Sequence, residues 1–229
     1  MAPARAGLAP DGGAAPMIRA LAHWANAAMV AVAAAALLNL GMAFLPLADL
    51  HAVHHPGPET AALATTLRLV GWAGRAVLLL TAALVWIGWV SRARSNLVAF
   101  GVRSHRVVDS VGRAPEPRRH MTLLTWAFWG TSLVGAATLL VAWLAGRETA
   151  AEIGLVRTQA RDGRAVDDAL AGHLFGRELL LYLPSAALFV LAAGFAVLIV
   201  AHVTSAQYGR VARLRARDSV LAEGGTIRA

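Results

Sequence analysis

An all-α, integral membrane four-helix bundle is the fold class this sequence predicts, and three observations predict it. Apolar residues make up 58% of the 229-residue chain and charged residues only 15%, well below the roughly 25% of a soluble domain. The charges are also segregated: Trp24–Leu47, Ala76–Val90, Met121–Gly146 and Leu179–Gly209 contain no Asp, Glu, Arg or Lys. Three of these stretches exceed the ~20 residues that an α-helix needs to cross about 30 Å of hydrocarbon, and the second reaches that length from Leu69. A soluble bundle could hide one such helix in its core. Four of them leave no polar exterior, so a bilayer is the economical solvent for this chain.

The predicted order begins with a flexible tail over 1–17, rich in Ala, Pro and Gly and without periodicity. Four spans follow at about 24–47, 69–90, 121–146 and 179–203, within a membrane domain of 18–210. The first is too long for the 7–15-residue apolar region of a cleaved signal peptide, and Pro46 is where its helix is expected to stop. The connection Ala48–Leu67 holds Asp49, His51, His54, His55 and Glu59 and no arginine. Pro56 and Pro58 are expected to break it, and Thr60 to cap the second helix. Beyond Val90 the second helix is expected to leave the bilayer. In Arg92–Gly112, Leu97, Phe100, Val107 or Val108, and Val111 recur at intervals of three to four with Arg94, Arg103 and Arg106 between them, the pattern of a basic amphipathic helix in the headgroup layer. Ala114–Pro117 ends it. The connection 147–178 mixes five arginines with six carboxylates, and Asp162–Gly163 is a turn signal, which predicts a short extracytoplasmic helical hairpin. A basic tail, 211–229, closes the chain.

Orientation follows from arginine. The tails and the loop between the second and third spans carry fourteen arginines, and the other two connections carry five. Cytoplasmic loops are the positive ones, so both termini are expected in the cytoplasm. All 21 basic residues are arginine, which with the alanine richness suggests a GC-rich bacterial genome and a place in the bacterial cytoplasmic membrane. The net charge of +8 then points to anionic lipid of the inner leaflet rather than to nucleic acid. The absence of cysteine excludes disulfides, thiolate metal sites and cysteine catalysis.

Few residues carry candidate chemistry. Arg75 lies inside the second span, where a charge costs a few kcal/mol unless it snorkels or pairs. Seven residues after Arg68 and on the same face, it either reaches the external headgroups or pairs with Glu178 at the start of the fourth span. His51, His54 and His55 have metal-like composition without a recognised ligand spacing, and solvated loop histidines are the simpler reading. His23, His120 and His202 fall near the cytoplasmic ends of three spans, where a facing pair can hold haem and where ordinary boundary residues also occur. Asn39, Thr122, Thr125, Thr131, Ser132 and Thr138 suit interhelical hydrogen bonds, and Ala33–Ala36, Gly130 and Gly135 suit close helix approach. No acidic residue lies within a span, which weighs against proton-coupled transport. No cofactor is expected.

Trp89, Arg92 and Asn96 share one face of the helix leaving the membrane, and Trp89 and Trp126 sit where aromatic belts form. With Trp129 and Gln207 they make a candidate polar clamp, or a face for lipid or a partner, at the cytoplasmic boundary. Three patches there carry a resemblance: Trp89-Val-Ser-Arg92-Ala-Arg-Ser-Asn96-Leu97, Leu124-Thr-Trp126-Ala-Phe-Trp129-Gly-Thr-Ser132 and Val203-Thr204-Ser-Ala-Gln207. Together they resemble, in part, the bacterial membrane-protein family named domain of unknown function 4328, and Val107-Val108-Asp109 is similar to a further short segment of it. The family's usual Trp- and Pro-containing hydrophobic stretch has no counterpart here. The resemblance covers 72–210 and implies a bundle but no reaction.

The expected function is therefore non-enzymatic: a scaffold, sensor or accessory subunit, working with a membrane-protein partner or a second copy of itself. A small-molecule or ion permease, and a haem- or metal-binding redox protein, are the alternatives.

Overall fold

Long runs of Ala and Leu propagate as helix wherever no breaker intervenes. The chain accordingly forms five α-helices in the computed structural model, which describes residues 14–55, 57–99 and 115–226. They are α1 (Ala14–Ala43), α2 (Leu45–His54), α3 (Pro58–Ala99), α4 (Pro115–Arg161) and α5 (Asp168–Thr226). Four segments are long and apolar enough to cross a membrane: Leu21–His54, Pro58–Leu97, Arg119–Arg147 and Asp168–Arg213. The predicted basic amphipathic segment Arg92–Gly112 is helical through Ala99, as the end of α3; 100–112 lie outside the described residues, as do 1–13 and 227–229. The predicted C-terminal tail is the continuation of α5 up to Thr226.

Two local expectations are corrected. The first helix breaks at Phe44, not Pro46: Phe44 is the N-cap of α2 and Pro46 lies in its first turn, where a missing N–H strands no carbonyl. Nor does Thr60 cap α3. It is the third residue of the helix, and its hydroxyl donates to the carbonyls of His55 (2.8 Å) and Gly57 (3.0 Å), tying down the turn instead of accepting from the first amides.

At about 1.5 Å per residue, α4 and α5 are roughly 70 and 90 Å long, far more than ~30 Å of hydrocarbon. Both project beyond it. The predicted hairpin over 147–178 is thus no separate unit; its arms are the end of α4 and the start of α5. The chain reverses by a Schellman closure: Gly163 holds φ 68°, Arg164 N–H donates to the Gln159 carbonyl and Gly163 N–H to that of Ala160. Asp167 then caps α5, its Oδ1 accepting from Ala169 (2.9 Å) and Leu170 (3.3 Å).

The spans pack in the row α3, α1, α5, α4, with α2 laid across α5 and α3. The outer pair, α3 and α4, scarcely touch. At the tail end, where α1 begins, all four spans meet in an apolar cluster of Leu21, Ala25, Trp89, Met121, Val200 and Val203. At the opposite, head end, Val53 of α2 joins Ile153, Val156, Leu174 and Phe175 of the projecting arms. Burial of large apolar side chains such as these contributes about 1.5–3 kcal/mol each where water is the solvent. Between the ends, packing rests on close approach. A Cβ on Gly88 would collide with the Trp24 ring, and one on Gly71 with the Met42 side chain. Gly135 lies against Leu188, and the Ser185 hydroxyl, on α5, donates to the Gly135 carbonyl at 3.0 Å. Gly130, expected to do the same, faces open space.

Candidate functional site

Three arrangements deserve description from the residues upward. The first is at the tail end. Asn96 and Gln207 are both buried, and the Asn96 amide donates to Gln207 Oε1 at 3.1 Å. Gln207 Nε2 in turn donates to the Ala93 carbonyl at 3.2 Å, so Gln207 of α5 both accepts from and donates to α3. Trp89 is buried one helical turn away, its Nε1 without a hydrogen-bond partner among the described residues. The rest of the predicted face is not drawn in. Arg92 is exposed and lies over the Trp24 ring, 5.2 Å from its centroid. Trp126 and Trp129 are 72% and 55% exposed, because this face of α4 has no helix against it. Phe128 between them stacks on Trp86 of α3, 5.8 Å between centroids.

The second is an ionic network at the head end. Asp49 of α2 is only 5% exposed. It accepts from Arg68 of α3 and from Arg157 of α4, the latter at 3.1 Å. Arg157 also reaches Glu178 of α5 at 3.2 Å and lies over the Phe175 ring. Four helices are joined by four charges. The predicted pairing of Arg75 with Glu178 is therefore corrected: Glu178 takes Arg157, which α4 brings down from the head. Sequence reasoning missed Asp49 as the hub, although one signal was present. The connection that contains it has carboxylates and no arginine, so their cations had to come from elsewhere.

The third is a cleft. With α3 and α4 apart, a cavity of about 1020 Å³ opens between them. Ala35 and Ala36 of α1 and Ala192, Ala193 and Ala196 of α5 form its floor. Along α3 it runs from Arg75 to Arg94, about 28 Å at 1.5 Å per residue. Its walls are apolar and aromatic, Trp86 and Trp126 included; the polar exceptions are Asn39 and Arg75 toward the head and Arg94, Thr122, Thr125 and Ser132 on the outer helices. Arg75 is partly buried, lies 5.3 Å from the Trp72 ring centroid, and has no carboxylate in ion-pair range among the described residues. Arg75 and Asn39 also line a small second cavity with Arg68, Glu178 and Tyr182, so they stand between the ionic network and the cleft.

The histidines form no such centre. His51 and His55 stack, with ring centroids 4.4 Å apart, and His54 lies 3.8 Å from Asp168. Among the described residues no three potential metal ligands converge. His23, His120 and His202 are exposed, and His202 Nδ1 lies 2.9 Å from the Leu198 carbonyl of its own helix.

Comparisons with protein-family models, with curated proteins and with solved structures find no match for this chain.

Proposed function

We propose that this chain is a non-enzymatic component of the bacterial cytoplasmic membrane, with both termini in the cytoplasm. In this reading it is a sensor, scaffold or accessory subunit that takes a membrane-resident guest sideways into the cleft between α3 and α4. The observation that carries the reading is the open row of helices: the outer helices part along most of their length and leave an apolar, aromatic-walled cavity between them. Sites for small apolar ligands usually occupy roughly 300–1,000 Å³ and hold a few placed polar groups, as Asn39 and Arg75 are placed here. Membership in the domain of unknown function 4328 family belongs to the same proposal. It rests on the three sequence patches, of which the first and last meet at the Asn96–Gln207 hydrogen bond.

The permease alternative requires a polar path, and the apolar cluster at the tail end weighs against one. The histidine arrangement likewise lends little to a haem or metal role.

The test is co-purification. Ala83 is exposed and lines the cleft, so Ala83→Trp fills the space without invading packed core. Protein extracted from native membranes should carry a guest that the Ala83→Trp protein lacks. Identical co-purified content in both would overturn the reading. Reporter fusions should place residues 1 and 229 in the cytoplasm and Glu148–Glu178 outside; the reverse would overturn the orientation.

A further inference from the structure

We propose that the guest of the cleft is an anionic phospholipid, its phosphate held by Arg75 and Asn39 and its acyl chains lying along the cleft toward Trp86. The proposal rests on the cleft reading above and adds the chemistry of what is bound.

Charge complementarity points to an anion. Where the ionic network adjoins the cleft, three guanidiniums, Arg68, Arg157 and Arg75, stand near two carboxylates, Asp49 and Glu178, and the network spends both carboxylates on the first two. Arg75 is the cation left over. It lies two turns farther into the span than Arg68, about 10 Å deeper, where an uncompensated charge costs several kcal/mol. Its aromatic neighbours Trp72 and Tyr182 flank it without neutralising it. Beside it the Asn39 side chain, which has no hydrogen bond among the described residues, opens on the same two cavities. A guanidinium and an amide lining the head end of one apolar groove supply the donor types that a phosphate takes.

Flexible chains can fill an irregular apolar groove of about 1020 Å³, and the roughly 28 Å from Arg75 to Arg94 leaves room for acyl chains that span one leaflet, about half of the ~30 Å hydrocarbon layer. Arg94, at the far end, is exposed and needs no such partner.

Native mass spectrometry of the full chain in detergent reads this directly, with phosphatidylglycerol, phosphatidylcholine and the free fatty acid of the same acyl length as probes. The wild type should retain one phosphatidylglycerol per chain and prefer it to phosphatidylcholine by roughly tenfold or more, the factor of one charge-assisted hydrogen bond. Arg75→Leu and Arg75→Gln should abolish the preference, and Arg94→Leu should leave it. A preference that survives both Arg75 variants, that follows Arg94 instead, or that favours the fatty acid overturns the proposal. Equal retention of the two phospholipids also overturns it; if both are then lost in Ala83→Trp, the cleft reading stands without the anionic headgroup. Equal retention that Ala83→Trp leaves unchanged removes the cleft reading too.

Discussion

Removing the Asp49 carboxylate should unlock the head of the molecule. Asp49 is 5% exposed and receives hydrogen bonds from Arg68 and Arg157. Charge-assisted bonds contribute about 1.5–3 kcal/mol each. The two guanidinium side chains are 29% and 31% exposed, so water takes back part of that sum. Asp49→Ala should therefore cost about 3 kcal/mol, the lower edge of what deleting one partner of a buried ion pair costs. That is roughly a hundredfold rise in the open population of the head. Asp49→Asn keeps the shape and one acceptor, and should cost about half as much. Hydrogen exchange in lipid nanodiscs reads the effect where it falls, as lost protection in α2 and in the arms 150–175, while the tail-end core around Trp89 stays protected. A change below ~0.5 kcal/mol in α2, the size of an ordinary surface substitution, would refute the reasoning. So would a loss spread evenly over all five helices. Pairing Asp49→Ala with Arg68→Met should recover part of the loss, because Arg68 is the cation that Asp49→Ala strands, while Arg157 keeps Glu178.

Asn96→Leu and Gln207→Leu should each destabilise the bundle by about 1–3 kcal/mol in a thermal melt, since each leaves a buried amide unpaired; the double variant should cost less than the sum, and strict additivity would mean the pair is not coupled. Gly88→Ala should lower thermal stability by about 1–3 kcal/mol, because the new Cβ displaces the Trp24 ring, whereas Gly130→Ala, facing open space, should be neutral or slightly stabilising. Arg75→Leu should not destabilise the lipid-free protein in a melt, since it strands no carboxylate among the described residues and removes a charge that is costly at that depth; a loss above about 0.5 kcal/mol there would reveal a buried anion that Arg75 holds within the protein.

The four spans were legible because bilayer insertion writes itself into composition: charges leave the apolar runs, and helix is the form that satisfies the backbone there. The Asp162–Gly163 reversal was legible for an equally local reason, the left-handed residue of a Schellman closure. What sequence could not supply was adjacency. Arg157 meets Asp49 across 108 positions, and nothing in either neighbourhood names the other. Arg75 and Glu178 looked like partners because each was the nearest unpaired charge at the same depth; the α4 arm, far longer than its span, brings in a better one. Gly130 and Gly88 sit in similar apolar surroundings in the chain, yet one opens on space and the other receives a tryptophan ring. The cleft was hidden for the same reason. It arises from two helices that do not pack, and a missing contact leaves no mark on composition.

The row in which the spans stand has a bearing on how the protein is made. Within each half of the chain the consecutive spans are also neighbours: α1 lies against α3, with Trp24 closing on Gly88 and Met42 on Gly71, and α4 lies against α5. A ribosome-bound chain can release its first half into the membrane as a finished antiparallel pair before the second half has been translated. The later pair needs only its own turn at Gly163 to do the same. Assembly then reduces to one docking event along the α1–α5 seam, and the ionic cluster of the head, which draws on both halves, becomes the latch that closes last.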